Sequence, residues 1–233
     1  MRSSPRTPVT IAAPNHHVPE EGLLEYVAGA ATDPASLAIA CHVSLCAACA
    51  AQAAALEAVG GSILETSPGE SLADGALQAT LARLDAAPEP AAVARGVVVE
   101  APGFLSAFGL PSPLLRSLPA QVADWRFVVP GVRAIDLPVV SSGATARLIS
   151  FGGGVTIPLH DHGGTEYVVV FAGALDEKAE GKRFGRGDIS IRETGERHEQ
   201  RATPGEPCIA LVVNEGKLRP LTLRGRLLLA LAR

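Results

Sequence analysis

Basic residues are almost missing from the first third of this chain. Residues 17–85 contain one, Arg83, against nine acidic side chains (Glu20, Glu21, Glu25, Asp33, Glu57, Glu65, Glu70, Asp74 and Asp85), a net charge of −8. A protein that grips nucleic acid directly needs a basic footprint, so that class is set aside. An acidic surface suits a basic protein partner instead. No secretory leader is expected, since Met1–Asn15 holds two arginines but no apolar core. Internal repeats and low-complexity tracts are absent too. Ala35–Leu56 runs without a formal charge for long enough to cross a bilayer. Yet its only large aliphatic residues are Leu37, Ile39, Val43, Leu45 and Leu56, and alanine contributes little transfer free energy. The expectation is a soluble protein without a membrane span.

The composition of the 233 residues changes along the chain. An alanine-rich acidic part gives way near residue 86 to a part rich in Gly, Val and Pro with balanced charge. The first reads as helical and the second as β. Residues 1–15 form an expected disordered arm. Pro19 opens a first helix that ends near Gly29. Asp33-Pro34 is an N-cap and first-turn signal for a helix running through a cysteine cluster. A further helical stretch, Ala50–Val59, is expected to stop at Gly60-Gly61. Ser71 and Asp74 resemble a capping box for a last helix to about Asp85, with Leu77, Leu81 and Leu84 as its apolar stripe. Residues 87–110 read as a linker with a stray strand at Val97–Val99. Beyond Trp125, short β runs broken by Gly and Pro turns (Trp125–Val129, Arg133–Leu137, Ala144–Phe151, Tyr167–Phe171, Asp188–Ile191, Cys208–Val213) indicate a sandwich or small barrel.

Two groups of residues carry metal chemistry. His160 and His162 alternate on one strand and so share a face; Glu166 follows at an even offset, and His198 lies past an expected hairpin at Gly185–Gly187. Three imidazoles and a carboxylate suit a borderline divalent ion such as Zn, Mn, Fe, Ni or Cu. Gly154, His160, His162, Glu166 and Gly173 reproduce the first cupin signature, G-x5-H-x-H-x3-E-x6-G. Gly187, Gly195 and His198 match the second, which departs at Glu193 and Ala202. These motifs make the C-terminal part resemble a compact cupin β-barrel.

The second group is His42, Cys46 and Cys49, at i, i+4 and i+7. On a continuous helix these fall on one face, and one more ligand closes a tetrahedral zinc site. His17 is the best-placed fourth ligand, and His16 is the alternative. Cys41 points about 100° away on that geometry and reads as a core thiol, as does Cys208 in its apolar strand. Three cysteines crowded beside a histidine favour metal binding in a reducing compartment over a disulfide framework.

The strings H-H-V at 16–18, C-H-V-S-L-C-A-A-C at 41–49, A-V-G-G-S-I-L-E at 58–65 and the cupin block at 154–198 together resemble the ChrR-type zinc-binding anti-sigma factors. The resemblance implies zinc at His17, His42, Cys46 and Cys49, and a second metal, zinc in the family, at His160, His162, Glu166 and His198. It implies a multidomain α plus β protein with an anti-sigma domain at 16–86 and a cupin domain at 111–233. It further implies a cytoplasmic inhibitor of an extracytoplasmic-function sigma factor, whose cupin senses singlet oxygen or organic hydroperoxides. The rival reading is a metal-dependent cupin enzyme, a dioxygenase or isomerase, with a helical zinc domain for assembly. A non-catalytic carrier of small molecules is a third.

Overall fold

The structure, a computed structural model, describes residues 13–86, 101–119, 124–138 and 143–231. Most of the expected arm at 1–15 and the stray strand at Val97–Val99 fall outside those residues. Four helices come first: α1 (Glu20–Val27), α2 (Asp33–Val43), α3 (Ala47–Thr66) and α4 (Ala76–Ala86). A 3-10 turn at Ser106–Phe108 and the short helix α5 (Ser112–Ser117) lead into the β part.

Local chemistry explains most of these boundaries, and several differ from expectation. Helix α1 begins after Pro19 and ends before Gly29, which adopts φ 69°. The cap of α2 is Thr32, whose hydroxyl accepts from Ala35 N at 3.3 Å, while Asp33 occupies the first turn. The expected helix through the cysteines is broken: α2 stops at Val43 and α3 starts at Ala47. Cys46 lies between them with extended φ/ψ, its sulfur accepting from Cys49 N at 3.5 Å as an N-cap. Gly60-Gly61 does not end α3, which continues to Thr66. A glycine pair weakens a helix without forbidding it. Nor do Ser71 and Asp74 cap α4, which begins after Gly75 at φ 78°.

Among the described residues eleven strands follow, β1 (Arg126–Val129), β2 (Val132–Leu137), β3 (Thr145–Phe151), β4 (Thr156–His162), β5 (Glu166–Ala172), β6 (Leu175–Glu177), β7 (Lys182–Phe184), β8 (Ile189–Arg192), β9 (His198–Ala202), β10 (Cys208–Asn214) and β11 (Leu218–Pro220), and then helix α6 (Leu223–Leu231). They form two antiparallel sheets, β1-β2-β3-β10-β5-β8 and β11-β4-β9-β6-β7, facing each other as the cupin sandwich. The Gly185–Gly187 segment is not a hairpin: β7 and β8 belong to different sheets, and the turn crosses between them.

Strand β5 reads as a nearly unbroken apolar run because both its faces are covered. Val168 and Val170 join Phe151, Leu175, Phe184 and Ala210 inside the barrel. Val169 and Phe171 face the other way, into a core shared with Leu23, Ile39, Leu105 and Leu114. Helix α2 packs on β5 and β10 through that core. Leu105 and Leu110, inside the expected linker, are buried in it as well. The helices and the barrel therefore share one hydrophobic core.

Candidate metal centres

His17, His42, Cys46 and Cys49 converge, with one ligand atom from each lying within 4.8 Å of all the others. The break between α2 and α3 makes this possible. It turns Cys46 back toward His42 at the C-terminus of α2, while Cys49 sits in the first turn of α3. His42 Nε2 is 3.2 Å from Cys49 Sγ, and His17 Nδ1 is 3.3 Å from Cys46 Sγ and 3.6 Å from Cys49 Sγ. Tetrahedral zinc with ordinary Zn–S and Zn–N bonds sets its N and S donors about 3.5 Å apart. The donor set and its spacing fit zinc. His16 points elsewhere, its Nε2 3.1 Å from the Arg183 carbonyl and its ring 4.4 Å from that of Phe184.

Burial holds these groups in ligating forms. His42 is fully buried, and loss of solvent lowers its pKa; the Gly187 carbonyl only partly offsets this. Since that carbonyl can only accept, His42 Nδ1 donates to it at 2.7 Å, leaving the Nε2 lone pair for the cluster. Burial raises the Cys49 thiol, so a metal must displace a proton to bind there. Cys41 and Cys208 are buried apart from either cluster, each pushed by burial to about 12.

His160, His162, Glu166 and His198 form the second group, all buried and again within 4.8 Å of one another. His160 and His162 come from β4, Glu166 opens β5, and His198 opens β9 opposite His160. Glu166 Oε2 is 3.4 Å from His162 Nε2 and 3.3 Å from His198 Nε2, which are 2.9 Å from each other. Each imidazole has its Nδ1 turned toward a polar group outside the cluster. His160 Nδ1 donates to the Pro158 carbonyl at 2.8 Å and His162 Nδ1 to Asn214 Oδ1 at 3.1 Å. His198 Nδ1 lies 3.2 Å from Glu177 Oε1, near enough for charge pairing though not aligned as a hydrogen bond.

Burial lowers His160 to about 4. Burial also opposes charge on His198, but the flanking carboxylates of Glu166 and Glu177 outweigh it and raise that group to about 9. Burial alone would raise Glu166; its hydrogen bond from His198 and the nearby imidazoles hold it low instead. Beside Glu166 a cavity of about 400 Å³ opens, lined by Ile149, Phe151, Val168, Val212, Asn214 and Gln200. Gln200 Nε2, buried there, has no hydrogen-bond partner among the described residues.

The chain is 36% identical over 206 residues to the anti-sigma-E factor ChrR of Cereibacter sphaeroides, covering 88% of this chain and 91% of that protein. The chain belongs to the ChrR family of anti-sigma factors. The family model described as the ChrR cupin-like domain matches residues 117–219. The fold resembles the crystal structure of Rhodobacter sphaeroides SigE in complex with the anti-sigma ChrR, with a TM-score of 0.69 and 34% identity, covering 86% of this chain and 98% of that one.

In this ChrR-family chain, sequence reasoning missed the residues that hold the ligands in place. Glu177, Asn214 and Gly187 belong to neither cupin signature as ligands and come from strands or turns remote in sequence. Arg192 joins them: its guanidinium donates to Glu177 Oε2 in the interior and, at 2.9 Å, to Glu180.

Proposed function

We propose that this chain is an anti-sigma factor. In this reading the helical part, residues 16–86, binds an extracytoplasmic-function sigma factor and keeps it from core RNA polymerase. Zinc at His17, His42, Cys46 and Cys49 ties α1, α2 and α3 together. The barrel at 111–233 holds a divalent ion, zinc or another borderline metal, and responds to oxidative stress by releasing the sigma factor. Its place of action is the cytoplasm, where the transcription machinery works.

The observation that carries this reading is an apolar face that nothing covers among the described residues. Val59, Ile63 and Leu64 on α3 are exposed, as are Leu72, Leu77, Leu81 and Leu84 on and before α4, several by more than 60%. Helix α4 buries no side chain among the described residues. An apolar stripe on a soluble protein marks a partner site, and an amphipathic helix is the form that lies in a hydrophobic groove. The acidic side chains around it suit a partner with basic, polymerase-facing surfaces. Helix α3 also meets the length and apolarity of a membrane span, but alanine supplies most of that apolarity.

The test is co-expression with the sigma factor encoded beside this chain. An equimolar complex is expected, and Leu77→Asp with Leu81→Asp should weaken it by at least about 100-fold, since burying two unpaired charges costs several kcal/mol. Full binding by that double variant would remove α4 from the interface. No complex with the unaltered chain would end the reading.

A further inference from the structure

The turn between β7 and β8, Gly185–Asp188, touches the helical cluster more closely than any other part of the barrel described above. The Gly187 carbonyl accepts from His42 Nδ1 in the interior. Asp188, almost fully buried, accepts from the backbone N–H of Asn15 at 2.6 Å and of His16 at 2.9 Å through Oδ1. Its Oδ2 closes the turn on Gly185 N at 2.7 Å. One carboxylate thus shapes the turn and fixes the residue preceding His17.

The approach is tight. A Cβ on Gly187 would stand 2.7 Å from Pro14 Cγ and 3.5 Å from Leu45 Cβ, and Gly187 has φ 86°, a conformation that disfavours other residues. The turn is also tied to the barrel's own site. Gly187 N donates to Val170 O at 2.8 Å, on the strand that begins with Glu166. Strand β8 leaves the turn and ends at Arg192, which pairs with Glu177 against His198 Nδ1.

We propose that Gly187 and Asp188 are positioning residues of the helical zinc site, so that the barrel sets how tightly that site holds its metal. The proposal rests on the reading of His17, His42, Cys46 and Cys49 as metal ligands. Its logic is that of any metal-binding histidine: the partner of the outer ring nitrogen fixes the tautomer and the angle of the ring. Here that partner belongs to the other half of the molecule. A displacement of the turn by less than an ångström misaligns His42, and through Asp188 it also moves the segment carrying His17. By linkage, whatever shifts the turn from the barrel side shifts zinc affinity, and zinc binding shifts the turn in return.

The experiment uses the full chain loaded with cobalt(II). Thiolate-to-cobalt charge-transfer bands report only the cysteine-bearing cluster, because the barrel group contains no sulfur. Competition with zinc then gives the affinity of that cluster alone. Asp188→Ala frees the turn and Gly187→Ala displaces it, so each moves the carbonyl that orients His42 and should weaken the affinity by about 10- to 100-fold, the scale of loss when the outer partner of a metal histidine is disturbed. Asp188→Asn, the milder variant, can satisfy only one of the two sides Asp188 now serves and should fall between. Barrel metal content should be unchanged in all three. Unaltered affinity in Asp188→Ala and Gly187→Ala would overturn the proposal. So would parallel loss of both metals, which would mark general unfolding. Failure of the unaltered chain to give charge-transfer bands would instead overturn the reading of the cluster as a metal site.

Discussion

At the scale of single residues, both clusters depend on what meets the imidazole nitrogen that faces out of the group. A backbone carbonyl serves His42 and His160, an amide serves His162, and a buried carboxylate serves His198. Replacing Glu177 by Gln removes the charge beside His198 and leaves Arg192 without its inner partner. Barrel metal affinity should fall by about 10- to 100-fold in a chelator competition. Unaltered affinity would assign Glu177 to structure alone. Glu180 gives a prediction in pH. The hydrogen bond from Arg192, then that from Lys182, lowers its carboxyl from 4.5 to about 2. A depressed folded value means the stabilisation is complete above pH 4.5 and is lost as the pH falls toward 2. The melting-temperature gap between the unaltered chain and Glu180→Gln should therefore narrow over that range. Because Glu180 is partly exposed, the gap at neutral pH should be small and should shrink with salt.

At the scale of elements, the helices show where local signals suffice and where they fail. Pro19 and Gly29 bracket α1 as their backbone preferences dictate. The break at Ser44–Cys46 was not legible, since His42, Cys46 and Cys49 have a perfect helical spacing. In the structure the helix is interrupted there, and Cys46, the N-cap of α3, lies beside His17. The barrel group was legible for a different reason: alternation along β4 puts His160 and His162 on one side, and Glu166 opens the next strand beside them. The supports of both clusters were hidden by distance along the chain, 52 residues from His162 to Asn214 in the barrel and 145 from His42 to Gly187 in the helical group. The continuation of α3 past Gly60-Gly61 can be tested directly. A Cβ at either position meets nothing within 4 Å. Gly60→Ala and Gly61→Ala should each stabilise the chain by roughly 0.5–1 kcal/mol in denaturant unfolding, the difference between Gly and Ala inside a helix. Destabilisation at either site would mean that the helix is not continuous there.

At the scale of the whole molecule, the helical part and the barrel are parts of one core, since α2 lies on β5 and β10 while α4 stands clear with its leucines exposed. In the proposed function α4 is the partner-binding arm and the barrel the sensor, and the group of His17, His42, Cys46 and Cys49 lies where the helices meet the β7–β8 turn. In the proposed function inhibition and response are therefore separable. Damage to the helical cluster should abolish the first, and damage to the barrel ligands should abolish only the second. The most direct measurement is transcription in vitro from a promoter read by the cognate sigma factor, with equimolar chain and with or without an organic hydroperoxide. The account predicts silence with the unaltered chain and with His160→Ala, relief by the peroxide only for the unaltered chain, and full transcription with Cys46→Ser and Cys49→Ser combined. Transcription undiminished by the unaltered chain would contradict it.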